Sequence, residues 1–243
     1  MYADTVFYTD RGGRPKNEDA VAAVRGTGSL IVLVADGLGG MGDGEVASRD
    51  AAGYLQCRLA RQPVSEDALC DAIVMENERI CAMHSQGGSM MTTVAVLWTD
   101  GVHTAAATVG DTRIYQFRGG RILFQSVDHS VAQMAVFSGE ISPEQIRQYP
   151  ARNRLIRALG AAGQVLVDAC TPEVLPGDRF LLCSDGFWEL ITEEEMCAAC
   201  APEDTAEQWL QAMRRIVAAR ITDRSDNHTA AAVILRKEDS HGA

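Results

Sequence analysis

The sequence predicts an α+β protein whose strands are mostly antiparallel and whose helices cover the sheet. Short apolar runs fill residues 92–124, and the turn pairs Asp100-Gly101 and Gly119-Gly120 separate them. Two-residue turns that contain glycine join antiparallel neighbours, so this region is predicted to form hairpins in meander order. Helical spacing of apolar residues over 44–61, and again after Ser65, predicts two helices that form one layer over a sheet.

Composition indicates one domain, residues 1–237, and excludes some classes of partner. The chain has 243 residues, of which 47% are hydrophobic, and this supports a sizeable core. The net charge of −11 argues against sequence-independent nucleic-acid binding, which needs basic residues to neutralise phosphates. There is neither a leader pattern nor an apolar run near the roughly 18 residues of a membrane span. We therefore expect a cytoplasmic monomer without nucleic-acid or membrane partners, and a frayed tail at 238–243.

The first loop concentrates charges of both signs. Residues 5–9 and 20–24 are predicted to be strands, and they enclose a loop with Arg14 four residues before the acidic pair Glu18-Asp19. One interpretation is a solvated surface loop with a weak local ion pair. The other is a binding role, because a guanidinium can hold a phosphate or a carboxylate through two hydrogen bonds.

An aspartate follows or precedes each of four strand-like apolar runs. Residues 30–35 predict a strand buried on both faces, and Asp36 follows it in a glycine-rich loop. The arrangement recurs at Asp111, Asp185 and Asp226, each beside Gly or Asn. If these strands lie side by side, the carboxylates meet at one rim and repel one another unless a cation lies among them. For the stretch at Asp36 taken alone, the alternative is a strand-turn-helix joint in which the aspartate caps the turn.

Residues 128–150 predict a small helical flap over the sheet edge. Ser142-Pro143-Glu144-Gln145 is a capping signature with proline at the first helical position. His129, near the start of the segment, is a candidate general acid, although a histidine bonded to a neighbouring loop is the commoner case. The seven cysteines include one CxxC pair, Cys197 and Cys200, inside a helical segment, and free thiols in a reducing compartment are expected for all of them.

Nine short motifs together resemble those of the PP2C (PPM) family of metal-dependent serine/threonine protein phosphatases, in its bacterial form. They occur in the family's order and cover nearly the whole chain. The motifs are RxxNED at 14–19, DGxGG at 36–40, GxxAS at 44–48, TT at 92–93, VGDTRIY at 109–115, DHS at 128–130, ALG at 158–160, PGDRFLLCSDG at 176–186 and DNHT at 226–229.

The resemblance implies a four-layer α-β-β-α sandwich of two mostly antiparallel sheets flanked by helices. It also implies a pair of Mn²⁺ or Mg²⁺ ions. Asp36 would bridge the two ions, the carbonyl group of Gly37 would join one of them, and Asp185 and Asp226 would complete the pair. The chemistry of the residues agrees, because an all-oxygen ligand set favours Mg²⁺ or Mn²⁺ over zinc.

The resemblance assigns roles to four further positions. Glu18 and Asp19 would hold metal-bound waters or bind directly, Asp111 with Asp185 would form a third, weaker metal site, and Arg14 would grip the substrate phosphate. A water shared by two ions would attack the phosphoester without a protein nucleophile. The implied substrates are proteins phosphorylated on serine or threonine by a cognate bacterial kinase.

Two positions depart from the family pattern. Leu38 stands where some members carry a histidine proposed to protonate the leaving group, and Met91 stands where glycine is usual. Neither departure removes a ligand. The alternative functions are a catalytically silent module that binds a phosphorylated partner, for which a lost ligand is expected, and a phosphatase of a sigma-factor regulatory pathway, whose usual sensor domains are absent from this sequence.

Overall fold

The computed structural model describes residues 1–39, 43–84 and 90–237. The strands in these ranges are β1 Tyr2–Asp10, β2 Asp19–Arg25, β3 Leu30–Leu38, β4 Met91–Thr92, β5 Val94–Thr99, β6 Thr104–Val109, β7 Arg113–Arg118, β8 Arg121–Gln125, β9 Asp168–Cys170, β10 Arg179–Cys183 and β11 His228–Arg236. The α-helices are α1 Gly44–Leu59, α2 Glu66–His84, α3 Val131–Phe137, α4 Asp185–Trp188, α5 Glu193–Ala198 and α6 Ala206–Ala218, and Pro143–Gln148 forms a 3₁₀ helix. The tail at 238–243 and Gly40 of the DGxGG motif lie outside the described residues.

The strands form two antiparallel sheets. The first sheet has the spatial order β1-β11-β10-β7-β8, and the second has the order β2-β3-β5-β6-β9 with β4 paired to the end of β3. The hairpins predicted at β5-β6 and β7-β8 are confirmed. The prediction of one continuous meander is wrong, because β6 and β7 belong to different sheets. The chain crosses from one sheet to the other at Asp111, directly after Gly110, whose positive φ of 105° permits the change of direction.

Helices cover the outer face of each sheet, so the four-layer sandwich is confirmed. Side chains of β3 alternate between two cores, as a strand buried on both faces requires. Ile31 and Leu33 join a core that includes buried residues of α1 and α2, whereas Val32 and Val34 join the core between the sheets. A third core lies between the first sheet and the helices α5 and α6, with Trp209 fully buried in it.

Capping chemistry sets the starts of several helices. The Thr205 side chain accepts a hydrogen bond from the backbone N–H of Gln208 at the start of α6, and the Gln208 side chain accepts one from the Thr205 backbone. The same reciprocal pair, Thr192 with Glu195, begins α5. Helix α1 ends at Leu59, two residues earlier than predicted. In the described residues, no helix combines the length and the hydrophobicity that crossing a membrane needs.

The predicted flap consists of α3 and the 3₁₀ helix, and it packs on the first sheet's helical layer. Ile146 is buried in the same core as Trp188, and the Arg147 guanidinium donates hydrogen bonds to the Trp188 and Ile191 carbonyl oxygens. These contacts tie the segment to the domain. All seven cysteines lie in the described residues as free thiols, Cys197 and Cys200 among them.

Candidate active site

Asp36 lies near the end of strand β3, and its backbone N–H and carbonyl groups are both hydrogen-bonded. The Asp36 N–H donates to Thr93 Oγ1 at 3.1 Å, and its carbonyl oxygen accepts from the Thr93 N–H at 2.8 Å and from Thr92 Oγ1 at 2.9 Å. Thr93 interrupts the predicted strand over 92–98, which the structure divides into β4 and β5. The interruption places Thr93 where it holds Asp36 and leaves the Asp36 carboxylate to face the neighbouring strand ends.

Asp19 lies directly opposite Asp36 on β2. Its Oδ2 accepts a hydrogen bond of 2.8 Å from Ser184 Oγ, and its buried Oδ1 has no hydrogen-bond partner. A buried carboxylate oxygen without a donor is costly. That cost is removed if a cation occupies the space in front of Asp19.

Seven of the eight predicted site residues line one cleft of about 440 Å³. They are Arg14, Glu18, Asp36, Gly37, Asp111, Asp185 and Asp226. Asp19, the eighth, is buried behind the cleft wall beside Asp36. The topology therefore assembles at one rim the carboxylates that are separated by up to two hundred residues of sequence.

The carboxylates shift one another's proton affinities. Burial, and then the charges of Asp19, Asp185, Asp111 and Asp226, raises the pKa of Asp36 well above its ordinary value. Burial and the charge of Asp111 likewise raise the pKa of Asp185. Burial is the largest cause for the other two buried groups as well, and it raises the pKa of Asp19 to about 6 and that of Asp111 to about 7.

These shifts describe a cleft that favours protons or cations among its carboxylates. The donor set fits Mn²⁺ or Mg²⁺, because it is made of carboxylates with the backbone of Gly37 beside them. Within the described residues, no group of three or more His, Cys, Asp and Glu side chains is arranged so that it could already hold a metal ion.

Arg14 forms an ion pair of 2.5 Å with Asp226 Oδ2 at the cleft's edge, and its side chain is 54% exposed. Sequence analysis missed the residue that fixes its loop, Asn227. The Asn227 side chain donates to the carbonyl oxygens of Arg11 and Lys16 and accepts from the backbone N–H of Glu18. Because these bonds span both ends of the Arg14 loop, Asn227 sets where the guanidinium lies.

A second group that sequence analysis missed supports Asp111. Trp188 Nε1 donates a buried hydrogen bond of 2.9 Å to the Asp111 carbonyl oxygen. The Arg113 guanidinium lies 3.5 Å from the centre of the Trp188 ring and binds both carboxylate oxygens of Asp128, at 2.8 and 2.7 Å. The motifs at 109–115 and 128–130 contain Asp111, Arg113 and Asp128, but nothing in their spacing reveals the contact with Trp188.

His129 does not line the cleft, so its role as a general acid is not supported. The imidazole is buried, its Nδ1 accepts from the Gly110 N–H at 3.0 Å, and its Nε2 lies 3.0 Å from Asp168 Oδ2. It holds the crossing between the sheets. The flap segment itself contributes no residue to the described cleft lining, whereas Asn153 and Leu155, which follow it, do.

The two departures from the family pattern are neighbours in space. Leu38, which lines the cleft, pairs with Met91 in the short β3-β4 ladder. The position expected to carry a proton donor is therefore apolar, and its cross-strand partner is apolar as well. Both changes leave the carboxylates of the cleft in place.

Comparison with known proteins agrees with this geometry. The family described as protein phosphatase 2C matches residues 11–228. The serine/threonine phosphatase Stp of Listeria monocytogenes serotype 4b is 34% identical over 208 residues, which are 81% of this chain and 81% of that protein.

Two solved structures show the same fold. The serine/threonine phosphatase Stp1 from Staphylococcus aureus has a TM-score of 0.88 at 26% identity, over 98% of this chain and 96% of that one. The catalytic domain of the serine/threonine protein phosphatase PstP, in complex with two manganese ions, has a TM-score of 0.81 at 26% identity, over 97% of this chain and 99% of that one.

Fold, cleft and comparisons together define a PP2C-type serine/threonine protein phosphatase. The chain belongs to the protein phosphatase 2C family, and the resemblance drawn from its motifs is confirmed.

Proposed function

We propose that this protein hydrolyses phosphoserine and phosphothreonine in proteins, with two Mn²⁺ or Mg²⁺ ions and a third, weaker site. The observation that carries the proposal is the gathering of Asp36, Asp111, Asp185 and Asp226 with Arg14 in one cleft. When bound, such ions supply an activated water and neutralise charge on the phosphoryl group. The relatives named as serine/threonine phosphatases support the substrate class.

The ligands divide between the two sheets. Asp36, with the carbonyl group of Gly37, would hold ions from the second sheet, and Asp185 and Asp226 would hold them from the first. Glu18 and Asp19 would act through water or directly, and Asp111 would share the third site with Asp185. The unpartnered oxygen of Asp19 and the raised pKa values of the cluster support this assignment.

Arg14 would bind the phosphoryl oxygens. Its guanidinium is exposed at the cleft edge and already bonded to an anionic group, the Asp226 carboxylate. A metal ion held by Asp226 would neutralise part of the charge that faces Arg14, and the remaining N–H groups of Arg14 would be available to bind the phosphoryl oxygens. Since Leu38 cannot donate a proton, the leaving-group oxygen would take its proton from water in the cleft.

The test is hydrolysis of p-nitrophenyl phosphate and of a phosphothreonine peptide. We expect activity with Mn²⁺ that EDTA abolishes and that added Mn²⁺ restores. No hydrolysis of either substrate with Mn²⁺ present would refute the proposal. If calorimetry detects no Mn²⁺ binding, the catalytically silent module that binds a phosphorylated partner is favoured instead. Retention of every proposed ligand argues against that function.

We also infer that the substrates are products of a cognate serine/threonine kinase in the cytoplasm and that the protein acts as a monomer. The seven free cysteines support a reducing compartment. Light scattering of the purified protein tests the oligomeric state. Phosphoproteomics of cells with and without the phosphatase tests the relation to the kinase. The sites whose phosphorylation rises without the phosphatase should be the sites whose phosphorylation is lost when the kinase is deleted.

A further inference from the structure

A second hollow of about 280 Å³ adjoins the catalytic cleft. It shares Arg14, Asn153, Asp185 and Asp226 with the cleft, so the two spaces lie side by side. Arg152 and Arg224 also line it. A peptide whose phosphoryl group lies at Arg14 would therefore extend along a wall with three guanidinium groups.

The three arginine side chains of this hollow differ in whether they already have an anionic partner. Arg14 is paired with Asp226, and Arg152 binds Glu189 through two hydrogen bonds of 2.6 and 3.2 Å. The Arg224 side chain is exposed, and in the ranges that the structure describes it makes no hydrogen bond or ion pair. Asp185, the remaining carboxylate of the hollow, is a proposed metal ligand. Arg224 is thus the cation left to bind an anion from outside.

The loops that carry Arg14 and Arg224 are locked to each other. The Gly13 N–H donates to the Ser225 carbonyl oxygen at 2.9 Å, and a Cβ atom on Gly12 would collide with the carbonyl oxygen of Asp226. Gly12 also has a positive φ of 59°. Because the loops approach so closely, the separation of the two guanidinium-bearing segments is fixed by the backbone.

The Arg224 loop is ordered internally as well. The Thr222 N–H donates to Ser225 Oγ at 2.9 Å, and the Arg224 N–H donates to Thr222 Oγ1 at 3.2 Å. Because the loop is already ordered, ligand binding to the Arg224 side chain costs little conformational entropy of the backbone. The arrangement suits a preformed subsite beside the cleft.

We propose that Arg224 and this hollow bind an anionic side chain that flanks the phosphoserine or phosphothreonine of the substrate. The inference rests on the proposed function, which places the phosphoryl group at Arg14. The ligand is a carboxylate or a second phosphate on a residue near the phosphorylated one in the peptide. In a protein of net charge −11, an acidic substrate needs such a local cation to offset general repulsion.

The experiment compares kcat/KM of the full chain, with Mn²⁺, on sets of phosphothreonine peptides. Each set places alanine, glutamate or a non-hydrolysable phosphonate analogue of phosphoserine at one position from three before to three after the phosphothreonine. At one or more positions the anionic peptides should be hydrolysed about two- to fivefold more efficiently than the alanine peptide, mainly through a lower KM.

In Arg224→Glu the ratio of kcat/KM for the anionic peptide to kcat/KM for the alanine peptide should fall to one or below. In Arg224→Lys the ratio should be close to that of the wild-type protein. The control is Arg121→Glu, which makes the same charge change at an exposed site outside both spaces and should keep the wild-type ratio. Because each ratio is taken within one enzyme, a general loss of activity cancels.

If only the phosphonate peptides are preferred over the alanine peptides, the subsite binds a second phosphate. If the glutamate peptides are preferred equally, the subsite accepts any anionic side chain. Hydrolysis without a preference at any position, or a preference that survives in Arg224→Glu, overturns the inference and leaves the phosphatase function intact. Failure of the wild-type protein to hydrolyse any phosphopeptide refutes the proposed function and this inference together.

Discussion

Replacing Asp185 with asparagine should change stability in opposite directions with and without metal. Asp185 is a proposed ligand, and its pKa is raised by burial and by the charges of Asp111, Glu189, Asp226 and Asp19. In metal-free protein the substitution removes a repulsive charge while it keeps the shape of the side chain. With Mn²⁺ present it removes a ligand instead.

The magnitudes follow from simple electrostatics and mass action. Two like charges about 6 Å apart repel by about 3 kcal/mol at an effective dielectric constant of about 20, and solvent in an open cleft reduces this. We expect Asp185→Asn to raise the free energy of unfolding by about 1–2 kcal/mol in EDTA. Saturating Mn²⁺ at about 100 times its Kd should stabilise the wild-type protein by about 2.7 kcal/mol and the variant by much less.

Urea unfolding at pH 8, in EDTA and in excess Mn²⁺, measures both effects. Hydrolysis of p-nitrophenyl phosphate should be nearly abolished in the same variant. The control is Glu203→Gln, which removes an exposed carboxylate outside the cleft and should change neither quantity. If Asp185→Asn lowers stability equally in both buffers, or if Mn²⁺ stabilises it as much as the wild type, the carboxylates do not form a shared cation site.

Three further substitutions test separate parts of the structure. Arg14→Ala should raise KM for phosphopeptides about tenfold or more with a smaller effect on kcat, which steady-state kinetics will show; unchanged KM would contradict phosphate binding. Trp188→Phe removes the buried hydrogen bond to the Asp111 carbonyl oxygen. It should lower the free energy of unfolding in urea by about 1–2 kcal/mol and weaken binding of a third Mn²⁺ in calorimetry. Wild-type values of both quantities would show that this hydrogen bond does not support Asp111. Glu76→Gln should abolish a pH dependence of stability: burial and the charge of Asp50 raise the pKa of Glu76 to about 8, so the folded state holds the proton more tightly than the unfolded chain. The wild-type free energy of unfolding should therefore fall, relative to the variant, by up to about 1.4 kcal/mol per pH unit from pH 4.5 to 8, and parallel curves would disprove the shift.

Sequence patterns predicted the elements because burial and turn chemistry are local signals. The run at 30–35 became the two-face-buried strand β3, and the capping signature Ser142-Pro143-Glu144-Gln145 begins the 3₁₀ helix Pro143–Gln148. The site residues could be listed because each carboxylate lies at a strand end that the sequence marks. The assignment of strands to different sheets leaves no such signal, so the sequence predicted a continuous meander where the chain crosses between sheets at Asp111.

The contacts that orient the site were also beyond the sequence. Asn227 reaches back over two hundred positions to Arg11 and Lys16. Trp188 reaches Asp111 from the short helix α4, which follows β10. Such partners depend on the exact approach of two loops, which no local spacing encodes. His129 shows the converse, because a conspicuous residue in a motif proved to hold the inter-sheet crossing at Gly110.

Because the cleft is divided between two sheets, the proposed metal binding should be coupled to the packing of the sandwich. Asp19 and Asp36 belong to the second sheet, Asp185 and Asp226 adjoin strands of the first, and the hydrogen bond from Ser184 to Asp19 joins the two. Ions held by both sets, as proposed, would stabilise the folded state only when the sheets keep their mutual register, which the core containing Val32, Val34 and Leu182 maintains. A substitution in that core should therefore weaken Mn²⁺ binding without touching a ligand, and by linkage Mn²⁺ should protect the inter-sheet core from local opening.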